Sequence, residues 1–362
     1  MKRLLLLVVA SASAVFATAA GAGAGSDTPG AVYTLTNAPA GNAVAVFDRA
    51  ADGSLAPAGT YATGGLGTGA GLGSQGSIVV TRDGRHVLAV NAGSDSVAAF
   101  AVERDGLDLL NTVPSGGVRP TSVTERHGVV YVLNAGSNTI SGFALGRDGL
   151  ATLAGSTRAL SAGASVPSQI QFAGHGRTLV VTERGSNTID TFAVDHDGYA
   201  AAPVSTPSTG GAPFGFDFDN RNHLIVSDAN AGPGESAATS YDVEDDGTLS
   251  LITGPVLTHQ GAACWLVVSK DGRYAYTANA GSGSISTFDV AHDGSLSLLG
   301  STQLGAGSRP LDVAVSENGR YLYVLTGGFN GVLGFRIAHD GSLEPVASGG
   351  GLPAAAAGLA AR

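Results

Sequence analysis

Residues 269–294 read SKDGRYAYTANAGSGSISTFDVAHDG, and this stretch decides the fold. Tyr274-Ala275-Tyr276-Thr277-Ala278 and Ser286-Thr287-Phe288-Asp289-Val290 alternate apolar with small or polar residues, the period of a strand and not of a helix. Lys270-Asp271-Gly272-Arg273 lies before the first of these strands, Asn279-Ala280-Gly281-Ser282-Gly283 separates the two, and Asp293-Gly294 follows the second. Such dipeptides supply the left-handed backbone that hairpins between antiparallel strands need.

The same unit recurs along the chain. An aromatic residue is followed five positions later by Asp-Gly at Phe47, Phe100, Phe143, Phe192, Tyr241, Phe288 and Phe335. Successive aromatics are 43 to 53 residues apart, the period of a propeller blade. Each period parses into four antiparallel strands, so the chain reads as all-β, a seven-bladed β-propeller occupying residues 26–362 as one domain. Ala31 to Leu35 aligns with second strands elsewhere, which leaves the first blade without its inner strand. The segment opened by Leu352-Pro353 resembles the start of an inner strand, as at Arg309-Pro310. Pairing it into blade one closes the ring and leaves no inner edge exposed.

Glycine supplies 55 of 362 residues, about twice its usual share of about 7%, in keeping with many tight turns. Met1-Lys2-Arg3, then Leu4 to Val9 unbroken, then small residues to Gly25, predict a Sec-type signal peptide over residues 1–25 and a secreted protein, extracellular or in the cell envelope. The alternative is a retained N-terminal anchor. The single cysteine, Cys264, permits no intramolecular disulfide. Without Lys2 and Arg3 the chain holds 17 basic against 29 acidic residues. Nucleic acid and anionic membrane are therefore poor partners.

Strand alternation places the turns after first and third strands on one face, here the lower, and the loops after second and fourth strands on the other, the upper. The lower face receives the seven Asp-Gly turns with His196, His292 and His339, which read as solvated turn residues. Asp195-His196-Asp197 and Glu244-Asp245-Asp246 lack the ligand spacing of a calcium loop, and no metal is expected. The upper face receives Arg119, Glu183, Arg184, His259, Arg309 and the loop asparagines Asn91, Asn134, Asn230 and Asn279. Glu183-Arg184 stands where sister loops carry Asn-Ala; it reads either as functional or as a local ion pair. Two positions after the usual inner-strand proline stand Ser77, Ser122, Gln169, Gly215, Trp265, Asp312 and Ala355. Trp265 is either a plug in the channel or one wall of a pocket, and Cys264 reads as a small buried hydrophobe. No Gly-x-Ser-x-Gly elbow, zinc-spaced cluster or glycine-rich phosphate loop is present.

The unit from proline through Ser-x-Asp-Gly-Arg, Tyr-x-Tyr and Asn-x-Gly-Ser-x-Ser-Ile to aromatic and Asp-Gly, clearest in Val268–Leu296 and Arg309–Leu343, resembles the lactonase-type propellers. These include 6-phosphogluconolactonases and carboxymuconate-cyclising enzymes. The resemblance implies a hydrolase or isomerase of a lactone, such as a sugar lactone, with no cofactor. Such enzymes carry His directly after the inner-strand proline. Here those positions hold Gly76, Thr121, Ser168, Phe214, Cys264, Leu311 and Ala354. By analogy Glu183, His259 and Arg184 take the catalytic roles, with Glu183 or His259 activating water and the guanidiniums holding a substrate carboxylate. Arg119, Arg309, Trp265, Asn134 and Asn279 are the substrate-binding candidates. The expected partner is a small-molecule lactone or carbohydrate, met by a monomer. The alternative is a non-catalytic propeller that binds a glycan, a cell-wall component or a protein.

Overall fold

Seven antiparallel sheets stand around a central channel in the computed structural model, which describes residues 30–163, 165–230, 234–244 and 246–362. The signal-peptide reading of residues 1–25 falls outside the described residues. Each sheet is a blade of four strands; the third adds a short fifth, Arg158–Ala159. The inner strands are Ile78–Val80, Pro120–Arg126, Pro167–Phe172, Pro213–Phe218, Ala263–Val268, Pro310–Val315 and, for the first blade, Ala357–Ala361. Second strands such as Tyr274–Asn279 and Tyr321–Thr326 are buried at every position, because neighbouring blades cover both of their faces. Outer strands such as Leu296–Gln303 alternate with solvent.

The repeated aromatic lies on the third strand of every blade and is buried at all seven positions. Its Asp-Gly turn has a joining role. All seven turn glycines, from Gly53 to Gly341, adopt positive φ, a region that costs a residue with a Cβ. Tyr131, Tyr276 and Tyr323 on second strands donate to the carbonyls of Gly198, Gly341 and Gly53 in the next blade, at 2.8, 3.0 and 2.8 Å. The aspartates belong to the turns: burial is nil and hydroxyl and N–H donors from Ser54, Ser295 and Ser342 hold the carboxyls of Asp52, Asp293 and Asp340 below the usual range.

The ring closes as expected, with a corrected register. Ala357 pairs with Leu35 and Ala360 with Tyr33, the places that Pro310 and Val313 take against their own second strand. Ala357, and neither Pro353 nor Ala355, therefore opens the inner strand. Pro353 begins a turn closed by the Ala356 N–H on its carbonyl at 3.0 Å. The buried Arg49 guanidinium locks this end: Nε and Nη2 donate to the Arg362 carbonyl at 3.2 and 3.0 Å, and its carbon lies 5.8 Å from the Tyr321 ring centre in blade seven. A second register correction concerns blade five. Asp228 pairs with Pro213 as Asn134 pairs with Pro120, so Asp228 and not Asn230 occupies the asparagine position.

Deleting residues from Ala357 onward is expected to abolish cooperative unfolding and leave aggregated protein in size-exclusion chromatography. Arg49→Met should fold but lose about 2 kcal/mol in denaturant titration, the order of magnitude for hydrogen bonds to a charged group.

Candidate functional site

Inner strands run side by side around the channel, and each turns backbone N–H groups toward its neighbour without a sheet partner to receive them. A buried N–H left unpaired is costly, and side chains from the preceding blade receive several of them. Ser122 Oγ and Thr124 Oγ1 accept from Ile170 and Phe172 N–H at 3.1 and 3.2 Å. Gln169 both accepts from Phe216 N–H at 2.8 Å and donates to its carbonyl at 2.9 Å. Asp217 accepts from Val268 N–H at 3.0 Å and from Gln171 Nε2 at 2.9 Å, and Asp312 accepts from Leu359 N–H at 3.0 Å. Ser122, Gln169 and Asp312, two positions after the proline, and Thr124 and Asp217, four positions after it, are thus staples between blades, a role the sequence reading did not assign.

The upper end of the channel is shut. Trp265 is 7% exposed, packs edge-on against Phe214 at 5.3 Å, and donates its indole N–H across the channel to Ser74 O at 2.9 Å. Gln75 crosses in the other direction: Nε2 donates to Leu266 O at 2.7 Å and Oε1 accepts from Leu266 N–H at 3.0 Å. Of the two readings of Trp265, the structure gives the plug. Gln75 was missed, although its side chain stands out where other blades carry proline or alanine.

The candidate residues of the upper face separate into two groups. Arg119, Arg184, His259 and Arg309 are exposed on the rim. Arg184 lies over the Phe214 ring at 5.3 Å, and Arg119 donates to Leu72 O at 3.3 Å. Left-handed φ at Arg119, His259 and Arg309 is shared by Val166, Ala212 and Ala262, which makes it a property of the connections and no sign of a strained site. Asn134 and Asn279 belong to the second group. Both are buried: Asn134 donates to Ser141 and to the Ser115 carbonyl in the connection before its blade, and Asn279 donates to Ser284 and Ser286.

Glu183 occupies this inward-facing asparagine position. It is fully buried, receives a hydrogen bond from Ser186 Oγ at 3.0 Å, and meets the Asp190 carboxyl on the adjoining strand. No ion pair joins it to Arg184 among the described residues. Burial first, and Asp190 second, push its carboxyl up to about 8. Oε1 of Glu183 and Oδ1 of Asp190 have no hydrogen-bond donor from the described residues. Asp228, at the same position in the next blade, is pushed up to about 7 by burial. The structure thus separates Glu183 from the rim cations, and no hydrogen bond connects it with His259 among the described residues. Burial also raises the Cys264 thiol to about 11, so it stays protonated at neutral pH.

The channel opens on the lower face into a funnel of about 990 Å³. Gln169, Gln171, Asp217 and Asp312 line its interior; Arg82, Arg126, Arg221, Lys270 and Arg362 stand at its mouth, with Glu125 and Glu317 among them. Two of the cations are fixed by backbone: Arg126 Nη2 donates to Gly174 O, and Arg362 Nη1 to Gly84 O at 3.2 Å. Arg126 is half-buried, its Nε has no hydrogen-bond partner, and burial together with the nearby Arg82 charge lowers its pKa. Asp312 is fully buried and its carboxyl is raised well above the usual range by that burial. Among the described residues no group of three or more His, Cys, Asp or Glu side chains could hold a metal ion.

A seven-bladed ring with a plugged upper end and an open polar funnel below defines the class of protein. The family model described as lactonase, 7-bladed β-propeller, matches residues 40–232 and 227–311, and the chain belongs to that family. No curated protein matches it in sequence. Among solved structures it is similar to a proposed 6-phosphogluconolactonase of Bacteroides uniformis, with TM-score 0.72, 22% identity, and coverage of 90% of this chain and 98% of that one. It is also similar to the periplasmic gluconolactonase of Pseudomonas aeruginosa, with TM-score 0.68, 19% identity, and coverage of 91% and 98%. A Lactobacillus plantarum protein gives TM-score 0.73 at 17% identity over 92% and 99%. At these identities the likeness is one of fold.

The buried carboxyls give a pH prediction. A group whose folded pKa lies above its unfolded value binds more protons folded than unfolded, so its contribution to stability falls as pH rises between the two. For Glu183 the window runs from 4.5 to about 8. The melting temperature of Glu183→Gln relative to the unaltered protein should therefore climb steadily across that window in thermal scans, and stay level below it.

Proposed function

We propose that this protein hydrolyses a sugar lactone carrying an anionic substituent, bound in the lower funnel. Family membership supports the reaction class, and two of the solved neighbours, from Bacteroides uniformis and Pseudomonas aeruginosa, bear the names of sugar lactonases. The observation that carries the placement is Arg126: a guanidinium fixed at the mouth, crowded by Arg82, with a buried N–H lacking an acceptor. A phosphate or carboxylate at the mouth relieves the repulsion between the like charges of Arg126 and Arg82. Gln169, Gln171 and Asp217 offer the sugar hydroxyls polar partners.

In the reaction, water adds to the ring carbonyl, the bond from that carbon to the ring oxygen breaks, the ring oxygen takes a proton, and the new acid releases one. Negative charge grows on the carbonyl oxygen as water adds, and a preorganised guanidinium is suited to it. Asp312 lines the funnel, but both of its oxygens already accept backbone N–H groups, from Val313 at 2.8 Å and from Leu359 at 3.0 Å, so the proton for the ring oxygen comes from solvent water. Export belongs to the same proposal, resting on Lys2, Arg3 and the apolar run from Leu4; mass spectrometry of the mature N-terminus checks it.

The test compares glucono-δ-lactone with its 6-phosphate, following acid release. Turnover of the phosphorylated lactone above the spontaneous rate is expected, with KM raised at least tenfold in Arg126→Met and little change for the neutral lactone. Loss of turnover in Arg184→Met and His259→Ala, with Arg126→Met unaffected, would move the site to the upper rim. Absence of turnover with every lactone in folded protein would leave the enzyme reading unsupported.

A further inference from the structure

Charge is segregated on this molecule. The whole chain carries a formal charge of −10, yet among the described residues of the upper-face loops only Asp95 and Glu235 expose a carboxylate. Asp95 is already occupied by the Arg119 backbone N–H at 2.6 Å. The three other acids at that end, Glu183, Asp190 and Asp228, are buried within their blades. Arg119, Arg184, Arg309 and His259 are exposed on the same face. Four apolar side chains join them: Leu66, Val118, Val166 and Phe329 are 41, 51, 50 and 46% exposed. They stand in connections between blades one and two, two and three, and three and four, and in the seventh blade's second loop. Trp265 and the Ser74-Gln75 segment fill the centre of this face, where a small ligand would otherwise enter the channel.

We propose that the upper face docks an acidic, partly apolar segment of a partner protein. Charge complementarity selects an acidic occupant: exposed cations with only two exposed carboxylates among them attract anionic partners to this face. The apolar members select protein over polysaccharide. Three of the four are aliphatic and offer no flat ring for a sugar to stack on, whereas Leu and Val side chains are covered well by the apolar residues of a peptide. Arg184, braced on the Phe214 ring, is a preorganised fork for a carboxylate. This docking surface is independent of the funnel, which opens on the opposite face.

The probe is a displayed pool of random 12-residue peptides selected on the immobilised full chain. Enrichment of Asp and Glu together with Leu, Val or Phe is expected. Affinity of the enriched peptides should fall at least tenfold for Arg119→Glu/Arg184→Glu/Arg309→Glu and for Val118→Ser/Val166→Ser/Phe329→Ser, with the Arg→Lys triple recovering part of the loss and thermal scans confirming that each variant is folded. Failure to enrich any peptide, or equal binding by the charge-reversed variant, overturns the proposal. Peptides lost instead in Arg126→Met are funnel ligands, and that result also overturns it. Binding of a polyuronic acid chain with no peptide enriched assigns the face to a glycan and has the same consequence.

Discussion

The pairing of Ala357–Ala361 with Gly30–Leu35 is the constraint on which the other features rest. Blades bury both faces against their neighbours, so none has a core of its own, and a row of such units is stable only when its ends are covered. Here the two ends cover each other. The cluster around this joint draws Val32, Phe47 and Leu55 from the first blade together with Tyr323 and Leu325 from the seventh and Leu359 from the closing strand. Arg49 and the Tyr323 hydroxyl add polar contacts across the same boundary. A closed ring also fixes the channel's diameter, and with it how far Gln75 and Trp265 must reach.

Inside that ring, backbone chemistry decides what the channel can be. Inner strands lie too far apart to form a continuous sheet, and their exposed N–H groups are met by Ser122, Thr124, Gln169, Asp217 and Asp312. Four of these, Thr124, Gln169, Asp217 and Asp312, also belong to the polar lining of the funnel. Structural and lining roles therefore coincide: a substitution that alters the chemistry of the funnel also removes a link between blades. The mouth is freer, since Arg82, Arg221 and Lys270 stand in exposed turns.

The fold was legible because its signals are local. An aromatic and an Asp-Gly turn five residues on are read within one hairpin, and seven copies fix the blade count. The closing strand was also legible, though Pro353 misled its register, since proline serves equally at the start of an inner strand and in a turn. Candidate residues fared less evenly. Arg119, Arg184, His259 and Arg309 lie on the rim where strand alternation puts them, but alternation gives the end of the barrel and not the direction of a side chain. Asn134, Asn279 and Glu183 point inward. The serines that receive the asparagines, Ser141, Ser284 and Ser286, were present five to seven residues downstream as a usable signal. The contact of Gln75 with Leu266 spans 191 residues and follows no repeat offset, so nothing local announces it. The lower mouth was passed over because Arg82, Arg221 and Lys270 stand in the turns after inner strands, which read as solvent-facing punctuation, while Arg126 and Arg362 stand at strand ends that carry no motif.

The cross-channel bonds of Trp265 and Gln75 make the molecule a cup and not a pipe. Anything that enters the funnel must leave by the way it came, so entry of one molecule and departure of another compete for a single doorway. The two sides of the disc are chemically insulated from each other: a partner seated on the closed side neither obstructs nor samples what the open side holds.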